Sequence, residues 1–366
     1  MITNRPTDSE VEITVIGTGG GYGESIVIKI GVDKWIIIDS CINPNTGVVL
    51  ALEYLQTINV DYSKVVLIIC THWHNDHIRG LANVLSECIN AEFCFSAVHD
   101  LQKFLLLCEL DHTKSSKGSI SSTNEFANCL EIINKRGTYF TRAQSDLVLY
   151  SLNENTLDFS LYALSPSPKT ISNFDSEISQ LITELGKRNT AIINKSPNDK
   201  SVALLLKFGS HRVLLGADLE IGQDEFEGWR HVVKHSKVTD QNKAKLYKVP
   251  HHGSHNGYLT EIFDILVDST SILKLTPFKT SDLPRQEMLD KYSSHSDAIY
   301  LTSNTIVSKK AKKRDSSIEK FIDQSVVSLV EAKYSHGIIR SRIDYTIPRS
   351  EWTTELFEAA LKYQKK

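Results

Sequence analysis

The sequence has no Cys-x-x-Cys pair, and its six cysteines (Cys41, Cys70, Cys88, Cys94, Cys108 and Cys129) stop before its midpoint. That pattern argues against a disulfide framework and a zinc ribbon, and free thiols in a reducing cytosol are the expected state. Long apolar runs are also missing. The longest, such as Val65-Val66-Leu67-Ile68-Ile69-Cys70, fall far short of the ~20 residues that span a bilayer. The opening Met1-Ile2-Thr3-Asn4-Arg5-Pro6 carries no apolar signal segment. A cytoplasmic protein with no membrane role is therefore expected. Neither sign of charge is in excess: 41 Lys and Arg stand against 44 Asp and Glu, a net charge of −3. This excludes a globally basic coat but not a local basic patch. No repeat at a period of ~20–50 residues is visible. The remaining composition is that of an ordinary globular protein, 41% apolar and 23% charged over 366 residues. That suffices for one large domain or two ordinary ones with a sizeable core.

Apolar alternation and buried-type runs predict strands at 11–16, 25–30, 35–39, 64–70, 92–98, 157–164, 202–208, 213–215, 245–249, 271–275, 297–302 and 337–347. Helical patterns fall at 47–58, 79–88, 99–109, 174–187, 258–267, 316–331 and 351–364. The last of these has Trp352, Leu356, Phe357, Ala360 and Leu361 at helical spacing. A glycine-rich turn is expected at 17–23, a loop at 114–122 and a break at Ser165-Pro166-Ser167-Pro168. Residues 100–160 carry the weakest pattern. The whole reads as β-rich sheets separated by helices, not a regular βαβ alternation.

The densest chemistry is Thr71-His72-Trp73-His74-Asn75-Asp76-His77, directly after the strand ending at Cys70. Three of the chain's 13 histidines and a carboxylate fall within six residues there. Imidazole and carboxylate are the usual ligands of zinc, manganese or iron at a hydrolytic site. In an extended segment His72 and His74 project to one side. A turn at Asn75 would let Asp76 and His77 face an adjacent position, so one loop could supply two ligands to each of two metals. Two further strand ends carry ligand types: Leu214-Leu215-Gly216-Ala217-Asp218, whose aspartate could bridge two cations, and Lys248-Val249-Pro250-His251-His252-Gly253-Ser254. Together the three form a coherent set for a dinuclear centre.

His-x-His-x-Asp-His after a strand resembles the signature of the metallo-β-lactamase superfamily. Gly17 to Ser25 followed by Ile36-Ile37-Ile38-Asp39-Ser40 resembles that family's opening hairpin and first-motif aspartate. Asn198-Asp199-Lys200-Ser201, Gly216-Ala217-Asp218 and Val249-Pro250-His251-His252-Gly253-Ser254 are similar to the hydrolase domain of the DNA-uptake protein ComEC and its stand-alone relatives. The likeness covers roughly residues 11–260. It implies an α+β fold, the αββα sandwich: two mixed sheets face to face with helices outside, over residues 1–270. A C-terminal α/β extension, 271–366, would pack beside it. It also implies that His72 and His74 bind a first metal, that Asp76, His77 and His251 bind a second, and that Asp218 bridges them. Asp39 would orient the metal-binding loop from behind. Three roles stay open to His252: metal ligand, phosphate contact or proton donor, the last making it with Asp76 a candidate catalytic group. Ser254 and His255 are candidate substrate contacts, and Ser201 lies near the site. Many members place a further histidine between the central motif and the bridging aspartate. Ala163-Leu164-Ser165-Pro166-Ser167-Pro168 has none, which points away from a typical lactamase or glyoxalase and leaves the first metal poor in ligands.

The remaining motifs read blandly. The 17–23 turn lacks the Gly-Lys-Ser/Thr ending of a P-loop, so a tight turn that brings backbone to the cleft is expected. His99 and His211 read as capping or surface residues, and His295 and His336 as structural. The basic run Lys309-Lys310-Ala311-Lys312-Lys313-Arg314 reads as a solvated loop ahead of a nucleic-acid contact. The expected function is a hydrolase using two divalent ions, zinc or manganese, in which a hydroxide shared by the cations attacks a phosphodiester, with nucleic acid as the favoured substrate. The alternatives are a hydrolase of a small ester or phosphodiester, of phosphocholine or lactone type, and a regulatory module with a degenerate site. The sequence does not identify a protein partner or an oligomeric state.

Overall fold

Runs such as Val65–Cys70 offer apolar side chains to both sides of a strand, which suits a sheet covered on both faces. The computed structural model has this arrangement. It describes residues 2, 4–18, 23–97, 103, 106, 122–154, 157–185, 197–305, 336–347 and 349–365. The first half of the chain runs β1 (Glu10–Gly17), β2 (Glu24–Ile30), β3 (Lys34–Ile38), α1 (Leu50–Thr57), β4 (Val65–Cys70), α2 (Asn75–Ile78), α3 (Leu81–Glu87), β5 (Glu92–Ser96), α4 (Ser122–Arg136) and β6 (Phe140–Ala143). The second runs β7 (Val148–Glu154), β8 (Leu157–Ala163), α5 (Pro168–Leu185), β9 (Leu204–Phe208), β10 (His211–Leu215), α6 (Gly228–His235), β11 (Ala244–Lys248), α7 (Thr260–Ile265), β12 (Val267–Leu275), α8 (Gln286–Ser293), β13 (Ala298–Leu301), β14 (Gly337–Asp344), β15 (Thr353–Glu358) and β16 (Leu361–Lys362).

The strands form two eight-stranded sheets, ordered β15-β14-β1-β2-β3-β4-β5-β6 and β16-β13-β12-β11-β10-β9-β8-β7. Each is mixed. β1 to β3 are antiparallel neighbours, then β3 to β6 run parallel through helical crossovers. β7 to β10 are antiparallel, then β10 to β13 run parallel. The period-two alternation divides the side chains between layers. Val11, Ile13, Val15, Ile26, Ile28, Ile36, Ile38, Leu67 and Ile69 meet Phe159, Leu161, Leu204, Leu206, Val213 and Leu246 between the sheets. On the outer face of the first sheet, Trp35, Ile37 and Ile68 pack under α1, α3 and α4. On the outer face of the second, Leu214, Tyr247 and Leu273 pack under α6, α7 and α8. The result is the αββα sandwich. No helix among the described residues is long and apolar enough to cross a membrane.

Three features depart from the sequence reading. The segment expected as a helix at 351–364 instead forms β15, β16 and the turn between them. Its apolar residues at helical spacing serve different layers: Trp352 packs on the inter-sheet core, Phe357 on the first outer core and Leu361 on the second. The segment crosses from one sheet to the other, so no single helical face exists. The division expected at residue 270 runs through β12, and the described residues beyond it complete both sheets, with β14 pairing β1 from Gly17↔Gly337 to Glu10↔Asp344. The helix expected from 174 starts at Pro168, where proline suits the first helical position and Ser167 Oγ accepts the Thr170 N–H at 3.1 Å. The pattern also missed α4, α6, α8, β6 and β7. Most of the expected helix at 99–109, all of that at 316–331, residues 19–22 of the glycine turn, the 114–122 loop up to 121, His99 and the 309–314 run lie outside the described residues.

Candidate metal centre

Parallel pairing of β3 with β4 and of β10 with β11 brings their C-terminal ends to one rim of the sandwich. Asp39 follows β3 in the left-handed region (φ 57°). Its carboxylate accepts the Thr71 N–H, the Thr71 hydroxyl and the His77 Nδ1–H, each at 2.7 Å. Thr71 Oγ1 is also 3.0 Å from His72 Nδ1. With the threonine proton on Asp39, that oxygen accepts from His72 Nδ1–H. Asp39 thus sets the tautomers of His77 directly and of His72 through Thr71, leaving both Nε2 atoms as lone-pair donors. Trp73 stacks on Phe174 with ring centroids 5.3 Å apart, anchoring the loop between the two histidines. The single turn of α2 then carries Asp76 and His77 inward, where both are buried. The backbone of the glycine turn abuts this helix: Gly23 has φ 117°, and a Cβ there would lie 2.0 Å from the Asp76 carbonyl oxygen.

Two groups of donor atoms result. Asp76, His77, Asp218 and His252 form one, and His72, His74 and Asp218 the other; within each, the atoms lie within 4.8 Å of one another. Asp218 belongs to both. His77 Nε2 is 3.3 Å from Asp218 Oδ1, and His72 Nε2 is 4.0 Å from Asp218 Oδ2. His252 Nε2 is 3.0 Å from Asp76 Oδ2 and 3.6 Å from Asp218 Oδ2, while its Nδ1 donates to the Thr276 carbonyl at 2.9 Å. His72 Nε2, His77 Nε2 and Asp218 Oδ1 are buried and make no hydrogen bond. Imidazole nitrogens and carboxylate oxygens facing one another out of water need positive charge among them, from a metal ion or from protons. The residues present therefore fit a metal, and the donor set suits zinc or manganese.

Without a metal, protons take its place. Burial disfavours charge on His77 and His252, but it is outweighed. Asp218, Asp76 and Asp39 push His77 well above the usual histidine range, and Asp218 and Asp76 raise His252. Burial likewise opposes ionisation of Asp76 and Asp218, yet His77 and His252 hold both below the usual carboxylate range. For His72 and His74 burial prevails and keeps them neutral, the state that binds metal.

The structure thus gathers His72, His74, Asp76, His77 and Asp218 and sets Asp39 behind them. His251, expected on the second metal, is not in either group. Its Nε2 is 3.0 Å from Asn198 Nδ2 and its Nδ1 is 3.6 Å from Glu220 Oε1. His252 stands in the four-residue donor group instead. Both residues adopt left-handed backbone (φ 46° and 53°), and this turn sends the second ring inward and the first toward the rim. Nothing in a His-His pair says which ring turns in. Ser254 Oγ caps the following turn by accepting from Asn256 N at 3.4 Å, and His255 is exposed beyond it. Ser201 is buried next to Val202, whose N–H reaches the Thr71 carbonyl at 3.1 Å. The histidine-free stretch is closed by Ser165, whose hydroxyl donates to the Ser201 carbonyl at 2.6 Å and accepts from Ala203 N at 2.8 Å. His211 begins β10 beside Phe208, and His295 stacks on Phe263 and bonds Tyr258. The Thr276 carbonyl that orients His252 leaves no mark in the pattern, since any residue supplies one. Beyond His251 a pocket of about 430 Å³ opens among Asn173, Asp199, Glu220, Gln223, Glu227 and Asn256.

The family model described as the metallo-beta-lactamase superfamily matches residues 18–273. No protein of curated function matches the chain. Among solved structures, the chain is similar to the metallo-β-lactamase SMB-1 bound to 2-mercaptoethanesulfonate, at 12% identity over 68% of this chain and 81% of that one, with a TM-score of 0.33. It is similar to the short form of human tRNase Z at 10% identity over 79% and 91%, with a TM-score of 0.35. It is similar to BJP-1, a subclass B3 metallo-β-lactamase of Bradyrhizobium japonicum, at 14% identity over 66% and 75%, with a TM-score of 0.33. With the family model matching more than half of the chain, including every residue of both donor groups, the chain belongs to the metallo-β-lactamase superfamily.

Proposed function

We propose that the protein hydrolyses phosphodiesters with the help of two divalent cations, zinc or manganese, and that nucleic acid is its substrate. The chain has the fold and the donor set of a metal-dependent hydrolase of its superfamily. The observation that carries the finer reading is Asp218, shared between a three-residue and a four-residue group in which His72 Nε2 and His77 Nε2 have no hydrogen-bond partner. His72, His74 and Asp218 would hold one cation, and Asp76, His77, Asp218 and His252 the other. When bound, the cations would activate water and offset the charge gathering on the phosphoryl oxygens.

The chain's own residues prepare that site. Asp39 and Thr71 hold His77 and His72 in the metal-binding tautomer, and the Thr276 carbonyl does so for His252. We therefore assign His252 to cation binding and not to proton donation. The group with three protein donors leaves room for a substrate oxygen, as open sites in hydrolases do. Choosing phosphodiester over amide rests on the likeness of Asn198-x-x-Ser201, Gly216-Ala217-Asp218 and His251-His252-Gly253-Ser254 to the ComEC hydrolase domain.

The pocket beyond His251 favours a second reading, a small phosphodiester or ester. Asp199, Glu220 and Glu227 line it, and no lysine or arginine is among its described lining residues, though Lys200 and Lys169 pair with Asp199 and Glu227 from beside it. A group without negative charge fits there better than the next phosphate of a polymer. Purified protein loaded with zinc or manganese should be offered single-stranded DNA, duplex DNA, RNA and bis-p-nitrophenyl phosphate. Cleavage of a polynucleotide that disappears in Asp76→Ala supports the first reading. Turnover of the small diester alone supports the second, and activity that survives Asp76→Ala refutes both.

A further inference from the structure

Glu24 at the start of β2 and Lys248 at the end of β11 form an ion pair that joins the two sheets below the metal centre. Their side chains are 2% and 0% exposed. Such a pair is weak evidence for stability, because desolvating the charges offsets their attraction. What it holds in place is more telling. Lys248 grips the turn that delivers Asp218 at two points. Its carbonyl accepts from Gly216 N at 3.0 Å, and its ammonium donates to the Ala217 carbonyl at 3.4 Å. The same Ala217 oxygen accepts from His251 N at 2.9 Å. Ala217 sits at φ 44°, a region an alanine occupies only when its surroundings hold it there. A Cβ on Gly216 would lie 3.0 Å from the Lys248 carbonyl and 2.9 Å from Pro250 N, so the turn lies directly on β11.

We propose that Glu24 and Lys248 are positioning residues for the shared carboxylate. Glu24 anchors the ammonium, the ammonium holds the Ala217 carbonyl, and Asp218 is thereby set between the two ligand groups. The inference rests on the two-cation reading above. Its consequence differs from that of losing a histidine: because Asp218 serves both groups, both cations weaken together.

Titration of metal-stripped protein with cobalt(II), followed by visible absorption, tests this with Glu24→Gln and the double variant E24Q/K248M, which buries no charge. Both are expected to keep the wild-type circular dichroism and to bind both cobalt equivalents about tenfold more weakly, with altered band intensities. Glu24→Asp, which keeps the charge, should recover part of the affinity. If Glu24→Gln unfolds, the double variant decides. Wild-type affinity and spectrum in the folded variants would overturn the proposal, as would a loss confined to one equivalent. Failure of the wild-type protein to take up two cobalt ions would instead overturn the two-cation reading and this inference with it.

Discussion

Replacing Asp39 by asparagine changes one atom and should disable two metal ligands. The carboxylate accepts from three donors: Thr71 N–H on Oδ1, and the Thr71 hydroxyl and His77 Nδ1–H on Oδ2. An asparagine amide nitrogen at the first position would face the Thr71 N–H, donor against donor. At the second position it forces a different outcome. His77 must move its proton to Nε2 so that Nδ1 can accept. Thr71 must accept from the amide and donate to His72 Nδ1, which moves the His72 proton to Nε2 as well. Both metal-facing lone pairs are then lost. Changes in the groups that orient metal ligands lower metal affinity by ~10–100-fold, or about 1.4–2.7 kcal/mol. The metal-free fold should lose about 1–3 kcal/mol, the cost of a buried donor left unsatisfied. Competition against a chelator of known affinity measures the first effect, and thermal melting in excess chelator the second. Asp39→Asn that binds metal as tightly as wild type would refute the tautomer argument, whatever its melting temperature.

Three further outcomes follow from the geometry. His252→Ala should lose one of two bound metals while His251→Ala keeps both, as elemental analysis after dialysis would show; the reverse pattern would restore His251 as the ligand. Gly23→Ala should weaken metal binding and destabilise by about 1–3 kcal/mol, because the new methyl would lie 2.0 Å from the Asp76 carbonyl; unchanged melting and metal content would contradict the close approach. In chelator the metal-free protein should lose stability as pH rises above the ordinary histidine value of 6.5. The folded state raises His77 and His252 above the ordinary 6.5, so their contribution is complete below that value and fades through the elevated pKa. Metal-loaded protein should not follow that fall, since cations replace the protons, and a chelator-treated melting temperature that climbs with pH would refute the assignment.

The ligand loop was legible because it is local: residues 71–77 carry four donors directly after an apolar strand, and strand and turn fix their directions. Asp218 was legible for the same reason, at the end of β10. The choice between His251 and His252 was not, because it depends on two left-handed residues whose conformation leaves no mark on the pattern. Helical spacing misled at 351–364, where neighbouring apolar residues serve three different cores. Glu24 and Lys248 stood in quoted motifs without a role, since a charged residue in an apolar strand shows its partner only once the sheets are stacked.

The pairing of β1 with β14 has a consequence for biosynthesis. β1 emerges from the ribosome early, yet its partner on one side lies some three hundred residues downstream. At typical elongation rates of ~5–20 residues per second, that edge waits about 15–65 s for its neighbour. Its bare amides and carbonyls are a template for strands of other nascent chains during that interval. A chain cut short before residue 337 would carry every residue of both donor groups and still leave that edge of β1 without its partner.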